Sequence, residues 1–260
     1  MNKNKVEIIS WNVNGIRAWD KKGLYSQFVL ANPDILCLQE TKAHPEQLTS
    51  YLQKPEGYFA YFNSAQTRKG YSGVSIYTKR EPKQVLYGLG IENLDQEGRQ
   101  LTLIFDDFIL INCYFPNGGG ESHRLEYKLA YFDAFTAFLK KLEKTNKNII
   151  FCGDINIAHT EMDIARPKEN AKSIGFLPQE RAKIDTFIKN EYIDIFRDRN
   201  PEMIKYTWWD QKSRARERNV GWRIDYFFVH KSFLQSVDNL FIRDTVQGSD
   251  HSPIACTIRL

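Results

Sequence analysis

The chain has 260 residues, 42% of them apolar and 26% charged, and a formal net charge of +4. That apolar share supports a large core, and the length fits one α/β domain spanning residues 1–260. No run of about 18 apolar residues occurs, which argues against a membrane-spanning helix, and the mild positive charge permits an anionic partner without requiring one.

The N-terminus, MNKNKVEIIS, leads straight into an apolar segment, Val6–Trp11, without the apolar stretch of a secretion signal. A helix is expected over Gly23–Ala31. Further short runs rich in Ile, Val, Phe and Tyr follow at Asp34–Leu38, Gly73–Tyr77, Leu101–Phe105 and Phe108–Phe115, bounded by Gly, Asn, Asp or Pro, and they read as strands. Phe105-Asp-Asp-Phe108 reads as a tight turn joining two of them into a hairpin. From Ser122 to Lys144, Leu125, Leu129, Phe132, Phe135, Leu139 and Leu142 recur at spacings of three and four, so this segment is read as the longest helix, with Ser122 as its N-cap. Asn148–Cys152 reads as a strand, Pro178–Asn190 as a helix, and Asp225–Val229 and Ile254–Ile258 as the closing strands. Hairpins mixed with helices predict sheet layers covered by helices rather than a strictly parallel βαβ wind. Cys37, Cys113, Cys152 and Cys256 each lie in an apolar run and none are spaced C-x-x-C, which predicts buried free thiols of a reducing compartment.

The informative feature is the polar residues that end these strands. Asn12 and Asn14 follow the first, Glu40 and Lys42 the second, Tyr114 and Asn117 a later one, and Asp154 and Asn156 the strand Asn148–Cys152; Asp225 opens the next, and Asp250-His251 precedes the last. One polar strand tip commonly just meets water. Five or six of them, if they converge on one rim, build a pocket with acids for a divalent cation and donors for an oxyanion. In extended chain, residues two apart point the same way and neighbours point oppositely. Asp154 and Asn156 are therefore expected on one side, as are Asn12 and Asn14. Asp250 and His251 are expected to diverge, leaving His251 to pair with Asp225, whose charge at the start of an apolar strand needs a partner.

Six motifs, Trp11-Asn-Val-Asn-Gly15, Leu38-Gln-Glu-Thr-Lys42, Tyr114-Phe-Pro-Asn117, Gly153-Asp-Ile-Asn-Ile-Ala-His159, Asn219-Val-Gly-Trp-Arg-Ile-Asp225 and Gly248-Ser-Asp-His251, occur in this order along the chain. The ordered set resembles the exonuclease III family of apurinic/apyrimidinic (AP) endonucleases. With the Arg68–Gly73 run RKGYSG it is similar to the branch that includes the main human AP endonuclease and bacterial exodeoxyribonuclease A. The resemblance implies a four-layer α/β sandwich, two mixed β-sheets flanked by helices, as in deoxyribonuclease I. It implies Mg²⁺-dependent hydrolysis of double-stranded DNA on the 5′ side of an abasic site in base excision repair, leaving a 3′-hydroxyl, with 3′-5′ exonuclease and 3′-phosphatase side activities and Mn²⁺ as a substitute ion. A monomer without membrane attachment is expected, in the bacterial cytoplasm with the nucleoid or in a nucleus.

Residue by residue, the resemblance implies Glu40 as the first metal ligand, with Asn14, where members of the family often carry Asp, Asn12 and Asp250 at the metal or supporting it. Asp154 is the expected base for the attacking water, and Asn156 and Asn12 are expected to hydrogen-bond that water or a phosphate oxygen. His251, backed by Asp225, is expected at the scissile phosphate, Tyr114 at the phosphate or the leaving oxygen, and Asn117 at the phosphate or the Tyr114 loop. His44, His123, His159 and His230 read as loop or packing residues. Arg17, Lys42, Arg68, Lys69, Tyr71, Lys168, Asn170, Arg181, Lys212 and Arg214 are the expected DNA contacts, the last two in the basic run KSRARER. Trp208, Trp222 and Ile224 are expected to line a tight pocket for the flipped, baseless sugar. Gly118–Gly120 and Lys212 stand where the family's branch has residues that insert into DNA, so weaker insertion is expected.

Sphingomyelinases and inositol polyphosphate phosphatases share the Asn, Glu, Asp-x-Asn and Asp-His set, so a related phosphoesterase of non-DNA substrates is the competing reading; the RKGYSG run, the tryptophans and the basic loop favour DNA. A non-catalytic nucleic-acid-binding module fits poorly with a complete acid and imidazole set. Neither G-x-S-x-G, a P-loop nor H-E-x-x-H occurs.

Overall fold

The computed structural model describes residues 5–121 and 123–260, so the expected N-cap Ser122 lies outside the described residues. Among the described residues, twelve strands form two six-stranded sheets. The strands are β1 (Lys5–Asn12), β2 (Ile35–Gln39), β3 (Phe59–Asn63), β4 (Val74–Thr78), β5 (Gln84–Tyr87), β6 (Gln100–Ile104), β7 (Ile109–Tyr114), β8 (Ile149–Asp154), β9 (Tyr192–Asp194), β10 (Asp225–His230), β11 (Val237–Ile242) and β12 (Ile254–Arg259). One sheet runs β11-β12-β1-β2-β4-β3 and the other β5-β6-β7-β8-β10-β9. In each, a single parallel pair, β1–β2 or β7–β8, lies at the centre of otherwise antiparallel strands. The helices are α1 (Ile16–Lys21), α2 (Leu24–Ala31), α3 (Ser50–Gln53), α4 (Glu92–Asp95), α5 (His123–Leu142), α6 (Pro178–Lys189) and α7 (Ile195–Arg199).

The strands are apolar on both faces because both faces are covered. Ile8, Cys37, Leu110 and Cys152 point between the sheets, into a core shared with Leu103, Phe108 and Phe227. Their neighbours turn outward. Ile9, Leu36 and Leu38 pack under Trp19 of α1 and Leu24 and Phe28 of α2. Ile109, Ile111 and Phe151 pack under Phe132 and Phe135 of α5 and Ile184 and Phe187 of α6. The result is four layers, helix–sheet–sheet–helix. The hairpin at Phe105-Asp-Asp-Phe108 closes with Phe105 N–H donating to the Phe108 carbonyl at 3.0 Å. All four cysteines are buried and free.

Register carries the polar tips to one edge of this sandwich. Asn12 lies beside Gln39 across β1–β2, and Tyr114 beside Asp154 across β7–β8. Asp225 starts β10 directly opposite Asp154. The central strands of both sheets thus end, or begin, at the same rim. A buried polar clasp ties the sheets together just behind it: Gln39 Nε2 donates to Asn112 Oδ1 at 2.7 Å, and Asn112 Nδ2 donates to the Leu38 and Ser75 carbonyls at 3.0 and 2.9 Å.

Candidate active site

A cleft of about 570 Å³ opens at that rim, lined by the polar residues Asn14, Glu40, Lys42, Tyr114, Asn117, Asp154, Asn156, Asp250 and His251 and by Ser173–Gly175, Trp208, Trp222 and Ile224. Its centre is a chain of carboxylates and one imidazole. His251 Nδ1 lies 2.8 Å from Asp225 Oδ2, and its Nε2 lies 3.8 Å from Asp154 Oδ2. All three residues are buried. Burial works against a charged imidazole, but Asp225 and Asp154 outweigh it and push His251 up to about 10. Asp154 is raised to about 7, chiefly by burial; His251 opposes the rise, and Asp225 and Glu40 add to it by repulsion.

Asn12 ends β1 completely buried and works as an organiser. Its Nδ2 donates to Glu40 Oε1 at 2.8 Å and to Asp154 Oδ2 at 2.9 Å, holding one acid from each sheet. Its Oδ1 accepts the Asn14 N–H at 3.0 Å. Both ends of its amide are thus engaged with the acids and the Asn14 backbone. Glu40 sits just past β2 in the left-handed region at φ 51°. Burial acts to raise its carboxyl, but the Lys42 ammonium, the Asn12 amide and His251 hold it below its ordinary value.

The period-two expectation fails at both loops. Asn14 and Asn156 have φ of 49° and 57°, so each leaves the extended chain after its strand. Asn14 is exposed and donates from Nδ2 to Asp250 Oδ1 at 3.0 Å, while Lys42 Nζ donates to Asn14 Oδ1. Asn156 instead closes a turn, its N–H donating to Asp154 Oδ1 at 2.8 Å and its Nδ2 to the Phe115 carbonyl at 2.9 Å. Asp250 and His251 do diverge. Asp250 Oδ2 accepts Trp208 Nε1 at 3.2 Å, on the side of Asn14. The Asp250 carboxyl is raised by burial but more than compensated by His251 and the Asn14 and Trp208 donors, which leave it below its ordinary value.

Tyr114 ends β7 over the buried Arg99, whose Cζ stands 4.6 Å from the phenol ring centre and whose Nη1 donates to the Tyr114 carbonyl at 3.1 Å. Burial, with Glu40 adding to it, pushes the phenol well above its ordinary value, so it remains a proton-bearing donor. Asn117 is exposed at the cleft, its Oδ1 accepting the Gly119 N–H at 2.8 Å. Next to Asp250 and His251, Trp208 and Trp222 meet edge to face, centroids 5.9 Å apart, packed with Ile224, Ala158, Ile164 and Phe176.

The expected DNA contacts divide. Arg17 is exposed and lines a second cleft with Gly15, Ala18, Lys21, Lys42 and Gly70. Arg68, Lys69, Lys168, Lys212 and Arg214 are exposed. Lys42 Nζ is paired with Glu40 Oε2 at 2.8 Å, and the half-buried Tyr71 accepts from Arg99 and Arg124 through its hydroxyl, each at 3.0 Å. Two of the contacts turn inward. Asn170 spends its amide on the Ala165 and Arg166 carbonyls and on Ser173 Oγ, and Arg181 donates from Nε to the His159 carbonyl at 2.7 Å while stacking on Phe176. His159 itself pairs with Asp185 at 2.8 Å.

Several site residues were not anticipated. Ser173, Ile174 and Gly175 wall the cleft but carry no chemical signal in sequence. Arg216, in the basic run, turns in and donates to the Asp244, Val246 and Ser249 carbonyls and to Ser252 Oγ, bracing the Asp250-His251 loop. Lys128 betrays itself only as a charge on an apolar helix face, and Arg99, in the polar stretch before Leu101, carries no signal.

Glu40, Asp154 and His251 bring three potential ligand atoms within 4.8 Å of one another. The residues fit a hard divalent cation: Glu40 supplies a depressed, oxygen-donor carboxylate, and the Lys42 ammonium already rests between Glu40 and Asn14 oxygens, marking a place that accepts positive charge. Asp250 lies outside that cluster and is linked to Glu40 through Asn14 and Lys42.

An imidazole backed by a carboxylate, a second buried carboxylate and a cation-accepting glutamate in one cleft fit a metal-assisted phosphoester hydrolase. The Endonuclease/Exonuclease/phosphatase family model matches residues 9–251, and the chain belongs to that family. A DNA-(apurinic or apyrimidinic site) endonuclease of Dictyostelium discoideum is 42% identical over 99% of this chain and 72% of its own length. An exodeoxyribonuclease of Bacillus subtilis is 39% identical over 98% of this chain and 100% of its own. Among solved structures, the AP endonuclease of Leishmania major superposes with a TM-score of 0.90 at 30% identity, covering 100% of this chain and 89% of that one. A 3′-5′ exonuclease of Neisseria meningitidis gives 0.89 at 26% identity, covering 98% and 100%.

Proposed function

We propose that this protein is an AP endonuclease that hydrolyses double-stranded DNA on the 5′ side of an abasic site, with Mg²⁺ as its ion and 3′-end trimming as a secondary activity. The observation that carries the reading is the juxtaposition of the Glu40–Asp154–His251 cluster with the Trp208–Trp222–Ile224 pocket in one cleft. A sugar without its base fits a small, aromatic-walled pocket, whereas a nucleotide carrying a base does not. The relatives' names point the same way. A phosphatase of non-DNA substrates needs no such pocket. The protein acts as a monomer in the compartment that holds DNA.

Asp154 takes a proton from water as the water oxygen attacks phosphorus. The bond to the 3′-oxygen of the upstream nucleotide breaks, and the proton is returned to that oxygen through solvent, leaving a 3′-hydroxyl and a 5′-phosphate. His251, held by Asp225, faces the growing charge on the phosphate as a hydrogen-bond donor, and the Asn156 and Asn117 amides add neutral contacts. Tyr114 donates its phenolic hydrogen toward the departing oxygen. A divalent cation held by Glu40, with Asp154 or Asp250 through Asn14, supplies charge neutralisation and Lewis acidity when bound.

The reading is tested with a duplex carrying one abasic-site analogue and an undamaged control, each with Mg²⁺ or with EDTA. Nicking of the damaged strand that requires Mg²⁺ and spares the control is expected. Equal cleavage of both duplexes, or hydrolysis of a small phosphodiester in preference to either, would overturn it.

A further inference from the structure

Lys128 is a lysine with no exposure at all, on the apolar face of α5. Its Nζ lies 2.5 Å from Oε1 of Glu180, which is equally buried in the first turn of α6. Burial pulls the ammonium below its ordinary value, and Glu180 works against that pull. An ion pair so deep is poorly explained by stability, since replacing such a pair by apolar side chains is often neutral or favourable. Its remaining contacts point elsewhere. Lys128 Nζ also donates to the Asn156 carbonyl at 2.8 Å. That carbonyl belongs to a residue in the left-handed region, where the chain has left the β8 ladder, and without Lys128 it would be a buried acceptor short of a partner. Glu180 Oε2 accepts the Gly175 N–H at 2.6 Å and the Leu177 N–H at 3.1 Å. Gly175 is the crossing point of the cleft wall: at φ +90°, a Cβ there would stand 2.9 Å from Trp222 Cζ3 and 3.2 Å from the Asn156 carbonyl oxygen.

One buried ion pair therefore holds, on its two ends, the loop that presents Asn156 to the phosphate and the loop that closes the pocket against Trp222. We propose that Lys128 and Glu180 are positioning residues that lock Asn156 and the Ser173–Gly175 wall into one unit, so that selection of the baseless sugar and alignment of the phosphate are set together by the contact of α5 with α6. This rests on the AP endonuclease reading above. Neither residue touches substrate, and their effect passes through Asn156 and Gly175.

Lys128→Met keeps the aliphatic stem and removes the charge. With the full-length protein and an abasic-analogue duplex, single-turnover cleavage should fall about 10–100-fold, the scale of a sub-ångström to ångström misplacement, while duplex affinity stays within about threefold. In the Asn156→Ala background the same change should cost clearly less than in the parent, because the part of its effect that passes through the Asn156 side chain is gone and only the part through the Gly175 wall is left. Amide hydrogen exchange should accelerate in residues 156–158 and 173–177 together. Multiplying effects in the double variant, cleavage by K128M at the wild-type rate, or faster exchange in one segment alone would each overturn the proposal. If K128M does not fold, Glu180→Gln, which keeps an oxygen for the Gly175 and Leu177 N–H groups, is put through the same cycle with the same outcomes. Wild-type protein that leaves the abasic duplex intact would sink the functional reading instead, and the exchange measurement would still judge the coupling.

Discussion

At the scale of single residues, the site works by giving similar groups different surroundings. Glu40 and Asp154 share the Asn12 amide, yet only Glu40 has an ammonium beside it, so its carboxyl is held low while Asp154 is lifted to about 7. One acid is thereby suited to binding a cation and the other to taking a proton. Asp154→Asn should lower the cleavage rate by roughly 10²–10⁴ with DNA binding retained, measured as single-turnover rate against duplex affinity; near-normal cleavage would remove Asp154 from the role of base. His251 and Asp225 form one unit. Asp225→Ala and His251→Ala should each reduce the rate, and the double variant should be little worse than either, a coupling of more than about 1 kcal/mol in the cycle. Independent, multiplying losses would separate the two.

At the scale of elements, loops between strands and helices are held by buried charge. Asp163, fully buried before the Trp208–Trp222 region, accepts from Arg223 Nε at 2.8 Å and Arg197 Nη2 at 2.6 Å, and Arg223 Nη2 reaches Asp194 at 2.7 Å. Burial acts to raise the Asp163 carboxyl, but Arg223 and the other donors hold it far below the ordinary range. A carboxyl depressed in the folded state adds stability that is fully present above its unfolded value near 4 and is lost as pH falls toward its folded value. Asp163→Asn should therefore cost about 3 kcal/mol at pH 7 by leaving Arg223 short of a counter-charge. The gap in unfolding free energy between variant and parent should stay constant down to about pH 5 and then narrow. A gap that widens on acidification would contradict this account.

The elements also show what the sequence reveals and what it conceals. β1, β2, β4, β7, β8, β10 and β12 are interior strands covered on both faces, so their continuous apolar runs are legible. β3, β5, β9 and β11 are edge strands, short or half-exposed, and Gln84–Tyr87 and Tyr192–Asp194 carry too little apolar pattern to be seen. α1, α3, α4 and α7 are too short to establish a helical period. Acids at the ends of buried strands are conspicuous, which is why Glu40, Asp154, Asp225 and His251 are readable as site residues. The turn at Asn156 and the inward face of Asn12 are not, since a left-handed φ or an engaged amide is decided by tertiary contacts. Lys128 falls three residues after Leu125 and four before Phe132, on the face that the apolar spacing assigns to the core. A charge in that position is the one sequence signal that could have marked it.

For the whole molecule, two sheets meeting at one rim bring Asn12 and Glu40 from one and Tyr114, Asp154 and Asp225 from the other into a common cleft. No helix among the described residues is long and apolar enough to cross a membrane. Arg17 lines a second cleft with Lys42 and with Gly70, which follows the exposed Arg68 and Lys69, so duplex affinity should fall with salt. Substituting Arg17 or Arg68 by Ala should reduce the slope of log affinity against log salt by about 0.9 for each phosphate the side chain no longer neutralises; an unchanged slope would remove that residue from the DNA path. The most direct measurement for the central claim is the chemistry of the ends produced from an abasic-analogue duplex in Mg²⁺. The account predicts a single nick immediately 5′ to the lesion, with a 3′-hydroxyl that a DNA polymerase extends and a 5′-phosphate on the sugar remnant. A nick on the 3′ side of the lesion, or a 3′ end that cannot be extended, would contradict it.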